Sequence, residues 1–381
     1  MPQITRKVVE WKAAGIDDPV ARLKFLRREL GSDPNSPQAG IVRHRITWQQ
    51  VTFWLVLACM LLPGSRIPAS RDRMPFPVPA AGIDVITDVW MVDKTAEFET
   101  YSNGLRIDTR HMSANEPRAS YPVYSRTAIN PAAPQWKTQI AGIVYHTTES
   151  DQARFEADET KHLKRIGKEV LTFVAHHHAY HFVIDRFGQV FRIVPESDVA
   201  NHAGFSVWAD DSVIYVNLNH SFLGIAFETQ TQQGQDLPSA SPAQIHAARV
   251  LTQMLRSKYH IPAANCVTHA QVSVNPDNML VGYHTDWSGN FPFLEVGLND
   301  NYTVPPASIY AFGFDYDPTF VHATGVRIWQ GLALAEDQMR AQAAAQGFPV
   351  PQFRSMLRKK YKEIIATLKA SSATKENTHA T

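Results

Sequence analysis

The first feature of this sequence is a concentration of histidines. Sixteen are present, and twelve of them fall between His146 and His284. Neutral imidazoles and a carboxylate are typical zinc ligands, and a catalytic zinc site needs about three protein ligands and one open position. His146 and His269 each end a short apolar run, and Asp286 follows in the segment GYHTDW. Residues of these types could together hold a metal ion that activates water.

Each of these residues also has a simpler explanation. A single histidine at a strand end is commonly a hydrogen-bonded structural residue, and Asp286 could cap a turn. The two cysteines, Cys59 and Cys266, are too few for a disulfide framework or for a zinc site built from thiolates. Residue types and spacing alone therefore leave metal binding open.

The segments that carry these residues have the pattern of an α/β domain. Ser241 to Gln244 reads as a capping box with proline at the first helical position, so a helix is expected to begin there. Apolar runs and alternation predict strands at 141–146, at 181–194 (two strands about a turn at Gly188), at 223–228 and at 265–269.

Composition limits the kind of protein. The 381 residues include 37 basic and 36 acidic side chains, so no chain-wide basic surface is available and nucleic acid is not an expected partner. The hydrophobic fraction of 44% is ample for a packed core. The length is that of two or three domains, or of one domain with long extensions.

The N-terminal part has the pattern of a signal anchor. Residues 46–62 are free of charge, and a spanning helix needs roughly 20 such residues. Arg43 and Arg45 precede this segment, which by the positive-inside tendency places the following chain outside the cytoplasm. A buried soluble helix is the alternative interpretation.

The rest of the chain divides by proline content. Residues 63–137 are proline-rich and predict an extended linker with some strand pairing. The tail from 301 predicts two helices, near 327–345 and 351–369. The predicted organisation is a basic tail at 1–45, an anchor at 46–62, a linker at 63–137, an α/β domain at 138–300 and a helical extension at 301–381.

Six sequence pieces, taken in order, resemble the type 2 family of zinc-dependent N-acetylmuramoyl-L-alanine amidases. This family shares its fold with peptidoglycan recognition proteins and phage amidases. The pieces lie within residues 138–296, so the resemblance covers less than half of the chain. They are IVYHTT (143–148), YHFVIDRFG (180–188), NHAG (201–204), LGIA (223–226), TH (268–269) and HTDWSGNFP (284–292).

The resemblance implies a central mixed β-sheet flanked by helices, with a zinc-bearing groove. His146 and His269 match the two histidine ligands, and Asp286 matches the third ligand. The interval from His269 to Asp286 is longer than is usual in the family, and Asp277 is a rival by its spacing. Asp286 is preferred because the residues around it fit the motif.

The same resemblance suggests residues for catalysis. Family members use a tyrosine at the position of Tyr180 or a glutamate at the position of Ala226 for proton transfer. Because alanine stands at 226, Tyr180 is expected to be the catalytic partner, with Glu228 as a possible substitute. His284 stands where the family has an oxyanion-stabilising lysine, and a protonated His284 would make activity depend on pH. His202 resembles a groove residue that contacts substrate.

The expected function is zinc-dependent cleavage of the amide between N-acetylmuramic acid and L-alanine in peptidoglycan. The expected protein is a monomer in the bacterial cell envelope, anchored to the membrane with its catalytic domain facing the periplasm or exterior. Two alternatives stay open: a non-catalytic peptidoglycan-binding module, and a zinc amidase with a different acylated substrate.

Overall fold

The structure is a computed structural model that describes residues 84, 86–126, 134–231, 239–316 and 318–379. The predicted anchor at 46–62 and the basic tail at 1–45 lie outside these residues. Among the helices that are described, none combines the length and the apolar character needed to cross a membrane.

In the described part of the chain, six strands precede the first α-helix, and strands and helices are interspersed after it. The strands are β1 (Met91–Lys94), β2 (Phe98–Tyr101), β3 (Arg106–Asp108), β4 (Tyr121–Ser125), β5 (Gln135–Lys137), β6 (Gly142–Thr147), β7 (Phe182–Ile184), β8 (Val190–Arg192), β9 (Val207–Ala209), β10 (Val213–Val216), β11 (Phe222–Phe227), β12 (Cys266–Thr268), β13 (Val274–Asn275), β14 (Leu280–Val281) and β15 (Asp315–Tyr316). The α-helices are α1 (Thr160–His177), α2 (Leu218–Ser221), α3 (Pro242–Tyr259), α4 (His269–Val272), α5 (Phe293–Val296), α6 (Ala307–Phe312), α7 (Pro318–Ala345) and α8 (Val350–His379).

Eight strands form a central sheet in the order β1-β2-β3-β8-β7-β11-β6-β12. The strand β6 is parallel to both β11 and β12, whereas β7 and β8 are antiparallel, so the sheet is mixed. The expected α/β class with a central mixed sheet is therefore confirmed. Because β6 and β12 are parallel neighbours, residues that follow them emerge at the same edge of the sheet.

The strand β6 is buried along its whole length, as expected for a parallel strand covered on both faces. Ile143 and Tyr145 pack in the core that includes helix α3. Val144 points to the opposite face, where it packs with residues of the second sheet, β5-β4-β10-β9. Since side chains alternate along a strand, His146 lies on the same face as Val144.

Two helices of 18 residues flank the sheet. Helix α3 begins at the predicted capping box, in which the Ser241 side chain accepts a hydrogen bond from the backbone N–H of Gln244, with proline at the first helical position. Helix α1 packs Leu171 and Val174 against Val183 of β7. These helices fix the positions of the strands whose ends carry the candidate residues.

The described part of the predicted linker is folded. Strands β1, β2 and β3 extend the central sheet, because β3 pairs in parallel with β8. Strands β4 and β5 belong to the second sheet, in which β4 pairs with β10. The described part of this stretch thus contains more strand pairing than was expected of a linker. The five predicted domain ranges stay predictions.

The C-terminal extension contains the two expected helices. Both begin earlier than predicted, and the second ends later. Helix α7 begins at Pro318 and helix α8 runs to His379, separated near Gly347, which has a φ of +72°. Tyr361 of α8 is fully buried, and its hydroxyl donates to the carbonyl of Phe205. The extension is therefore packed on the α/β core.

Candidate metal centre

The three expected ligands come from three neighbouring segments at one edge of the central sheet. His146 is the penultimate residue of β6, and His269 directly follows β12 as the first residue of α4. Asp286 lies in the irregular segment between β14 and α5. Parallel pairing of β6 with β12 brings the two histidines together.

The side chains of His146, His269 and Asp286 converge to a buried cluster. Their potential ligand atoms all lie within 4.8 Å of one another. The Nδ1 atom of His269 is 2.9 Å from Oδ1 of Asp286, and Nδ1 of His146 is 3.3 Å from Oδ2. A buried set of two imidazoles and one carboxylate matches the donor chemistry of a zinc site.

The protonation states in this cluster favour metal binding. Burial, and then the neighbouring His269, lower the pKa of His146 to about 4, so its imidazole is neutral near neutral pH. Burial alone would raise the pKa of Asp286, but His269 and His146 outweigh it and hold that pKa well below its usual range. Metal ligands must be deprotonated, and these two groups are.

His202 lies behind His146 and determines which of its ring nitrogens faces the cluster. The Nε2 atom of His202 is 3.3 Å from the carbonyl of Phe222, which can only accept, so this nitrogen carries the proton. Burial lowers the pKa of His202 far below its usual value, so the ring is neutral and its Nδ1 accepts. His146 Nε2 therefore donates to it across 3.1 Å, which leaves the lone pair of His146 Nδ1 directed at the cluster.

This arrangement places a lone pair beside an ionised carboxylate, an unfavourable pairing that a bound cation would relieve. The same contacts define the surroundings of His202. Its side chain is buried, with only 7% of the residue exposed, and its two ring nitrogens face His146 and the Phe222 carbonyl. His202 therefore contacts His146, and its part in substrate binding stays a prediction.

Tyr180 stands beside the cluster. Its ring centroid is 5.1 Å from that of His146. Burial, followed by the negative charges of Asp286 and Glu149, raises the pKa of Tyr180 above its usual value. The phenol therefore stays protonated near neutral pH and is suited to donating a hydrogen bond.

His284 stacks on His269, with ring centroids 4.6 Å apart and an angle of 19° between the planes. The side chain is exposed, and its backbone N–H donates to Ser273 Oγ. Partial burial and the nearby His269 lower the pKa of His284 below its ordinary value. These surroundings disfavour the protonated form of His284, and its catalytic role stays a prediction.

Glu228 is not brought to the cluster. Its carboxylate lies under helix α1, where the position of a Cβ on Gly167 would be 3.1 Å from Oε2. The Arg186 backbone N–H donates to Oε2, whereas Oε1 is buried without a partner in the described part of the chain. Burial raises the pKa of Glu228 to about 7.

Asp277, the other candidate for the third ligand, also lies outside the buried cluster. Asp277 is exposed in the turn between β13 and β14, where its backbone N–H donates to Asn275 Oδ1. The buried cluster contains Asp286, and Asp277 is not part of it.

Three consecutive histidines, His176 to His178, lie at the C-terminal end of helix α1. The Nε2 atom of His178 is 3.0 Å from Oγ of Ser113.

Glu149 is a residue that sequence patterns did not single out. It adopts a left-handed backbone conformation with φ of +50° and lies at the exposed edge beyond β6. Its Oε1 accepts hydrogen bonds from Thr147 Oγ1, Thr231 Oγ1 and the Thr231 backbone N–H. Its charge acts on Tyr180. The only sequence signal was its position three residues after His146.

The fold and the buried His-His-Asp cluster define an α/β protein with the donor set of a zinc hydrolase. Residues 136–286 match the model of the N-acetylmuramoyl-L-alanine amidase family. This part of the chain is therefore similar to the type 2 amidases, as the sequence pieces indicated.

One curated relative is the N-acetylmuramoyl-L-alanine amidase AmiD of Escherichia coli (strain K12). It is 32% identical over 89 residues, which are 22% of this chain and 31% of the relative. The chain thus spans about a third of the length of this relative.

Solved structures of low identity show similarity as well. AmiD from E. coli, in complex with the substrate anhydro-N-acetylmuramic acid-L-Ala-D-gamma-Glu-L-Lys, is 20% identical with a TM-score of 0.34, and the match covers 64% of this chain and 96% of that one. AmpDh3 from Pseudomonas aeruginosa, in complex with anhydromuramic pentapeptide, is 22% identical with a TM-score of 0.29, covering 45% and 63%. The Drosophila peptidoglycan recognition protein SD is 17% identical with a TM-score of 0.27, covering 45% and 86%.

Proposed function

We propose that this protein is a zinc-dependent amidase that cleaves the bond between N-acetylmuramic acid and L-alanine in peptidoglycan. The observation that carries the proposal is the convergence of His146, His269 and Asp286 in one buried cluster. The match of residues 136–286 to the amidase family model supports the proposed substrate class.

The donor set fits zinc. Nδ1 of His146 carries a lone pair toward the cluster because the N–H at Nε2 donates a hydrogen bond to Nδ1 of His202. Asp286 is ionised, and its two oxygens face the two histidines. A bound zinc ion would supply a Lewis acid for the scissile carbonyl and would acidify water toward a pKa of roughly 7.

Tyr180 is assigned the role of hydrogen-bond donor. Its phenol stays protonated, because burial and nearby carboxylates raise its pKa. Its ring lies against His146, so the hydroxyl can donate to the negative charge that develops on the substrate carbonyl oxygen. The stacked, uncharged imidazole of His284 would add a hydrogen bond instead of a positive charge.

Amide cleavage also needs a group that takes a proton from water and returns it to the departing nitrogen. A Tyr180 that stays protonated is a poor acceptor, and Glu228 lies under helix α1. Glu149 is exposed at the edge of the site, and its charge acts on Tyr180. We therefore assign proton transfer to Glu149, with Glu228 as the less favoured carboxylate.

The proposed peptidoglycan substrate supports a location in the bacterial cell envelope. We propose that residues 46–62 anchor it to the membrane and that the domain at 138–300 acts on the outer side as a monomer. Fractionation of cells that express the full chain, compared with a chain lacking residues 1–62, tests this arrangement. Release of the full chain from membranes by salt alone would contradict the anchor.

Purified full-length protein incubated with muropeptides tests the activity. Release of free stem peptide that stops with a zinc chelator and returns with added zinc is the expected result. Zinc-independent binding without release would instead favour the peptidoglycan-binding module. Cleavage of other N-acyl amides with intact muropeptides would favour the third function, an amidase with a different acylated substrate.

A further inference from the structure

We infer that the first turns of helix α7 position Asp286 for metal binding, through contacts between residues 320–324 and the ligand segment 282–289. This inference depends on the metal site proposed above. Helix α7 begins at Pro318, beyond the end of the family match at residue 286.

The first contact is at the start of the ligand segment. Gly282 has a φ of +76°, and a Cβ at this position would lie 2.1 Å from Cγ of Phe320. The Phe320 ring is buried, with 2% of the residue exposed. The aromatic ring therefore rests directly on the Gly282 backbone, and no other amino acid fits there without displacing one of the two.

The second set of contacts is at the end of the segment. The Ser288 hydroxyl donates to the carbonyl of Ala323 across 2.9 Å. A Cβ on Gly289 would lie 2.7 Å from the carbonyl oxygen of Thr324. The helix thus holds the ligand segment on both sides of Asp286 by close backbone packing and one buried hydrogen bond.

The ligand segment needs such support because it has no strand or helix of its own. Strand β14 ends at Val281 and helix α5 begins at Phe293. Trp287, next to Asp286, adopts a φ of +56°, and its indole N–H donates to the carbonyl of His146. An irregular segment with two positive-φ residues keeps one shape only where surrounding groups determine it.

If helix α7 positions Asp286, changes at these contacts should lower zinc affinity by more than they lower the stability of the fold. Small displacements of a ligand weaken a metal site, and changes in supporting residues typically cost about 10–100-fold in affinity. The comparison uses full-length protein, and zinc affinity is measured by competition with a chromogenic chelator. Amide hydrogen exchange of residues 282–289 in metal-free protein provides a second readout.

Gly282→Ala and Gly347→Ala form one matched pair. Both glycines have left-handed φ values, +76° and +72°, but only Gly282 has a neighbour within 4 Å of the added Cβ. We expect Gly282→Ala to lower zinc affinity by at least about tenfold, and Gly347→Ala to leave it unchanged. Phe320→Ala and Phe353→Ala form the second pair, since both rings are buried in the extension.

Phe320→Ala should weaken zinc binding by about tenfold and speed exchange at 282–289, whereas Phe353→Ala should lower the melting temperature alone. Wild-type zinc affinity and exchange in Phe320→Ala would overturn the inference, as would absence of zinc binding by the unmodified protein. Failure of the proposed function has a different signature: zinc binding that still differs between the variants, but no cleavage of muropeptides.

Discussion

His202 Nδ1 lies 3.1 Å from His146 Nε2, and this contact determines which nitrogen of His146 faces the cluster. The Phe222 carbonyl contacts the other ring nitrogen of His202 and can only accept, so His202 Nε2 carries the proton. His202 Nδ1 therefore accepts a hydrogen bond from His146 Nε2. A histidine ligand whose second nitrogen is held by a partner is the usual arrangement in metal sites. His202 is therefore expected to act on the proposed metal centre through His146.

We expect the contact between His202 and His146 to affect zinc affinity. His202→Ala removes the acceptor for His146 Nε2, so zinc affinity should fall by about 10–100-fold. His202→Asn places an amide oxygen near the position of Nδ1 and should recover part of the loss. Chelator competition measures both variants, and equal affinities for the alanine variant and the unmodified protein would contradict the proposed role.

We expect Asp286, and not Asp277, to be required for zinc binding. Asp286→Ala removes a buried ligand group and should abolish both zinc binding and amidase activity. Asp277→Ala changes an exposed turn and should leave both properties intact. Zinc content by atomic absorption, together with stem-peptide release, checks the pair. Loss of zinc on changing Asp277 alone would reverse the ligand assignment.

Tyr180 is tested by removing its hydroxyl. Tyr180→Phe keeps the ring against His146 but removes a donor to the developing negative charge, so kcat should fall by about 100-fold with zinc affinity unchanged. Tyr283→Phe is the control, because Tyr283 is an exposed neighbour on the His284 ring. An unchanged kcat in Tyr180→Phe would exclude the donor role.

The two glutamates differ in their expected effect on turnover. Glu149→Gln keeps the size of the side chain but removes proton transfer, so kcat should fall by roughly 100-fold. Glu228→Gln should change kcat little, because its carboxylate is buried under helix α1 beside Gly167. Measured kcat values with a muropeptide substrate compare the two, and the reverse order would favour Glu228 as the proton carrier.

Glu228 should instead make stability depend on pH. Burial raises its pKa from 4.5 to about 7, so the folded state holds this proton more tightly than the unfolded chain does. The stabilising contribution is complete below about pH 4.5 and is lost as the pH rises through about 7.

Glu228→Gln cannot ionise, so its stability advantage over the unmodified protein should grow between those pH values, by about 3 kcal/mol at most. Denaturant unfolding at a series of pH values measures the difference. Glu169→Gln, an exposed change on helix α1, is the control. A difference that stays constant with pH would show that Glu228 is already ionised in the folded state.

Much of the architecture could be predicted because its signals are local. The apolar run ending at His146, the turn at Gly188 and the capping box at Ser241 each act over a few residues, and each element lies where it was expected. The folding of residues 91–125 could not be predicted from their prolines. Their strands are stabilised by partners such as β8 and β10, which lie far away in the chain.

The sequence by itself determined the residue types of the site and the strand ends that carry them. It could not distinguish His202 as a groove residue from His202 as the partner of His146, since those two residues are 56 positions apart. It could not show that Glu228 points under helix α1, or that Glu149 lies at the open edge. Tertiary structure decided these positions, because long-range packing brings distant residues together. Burial and neighbouring charges then determine which nitrogen, carboxylate or phenol carries a proton.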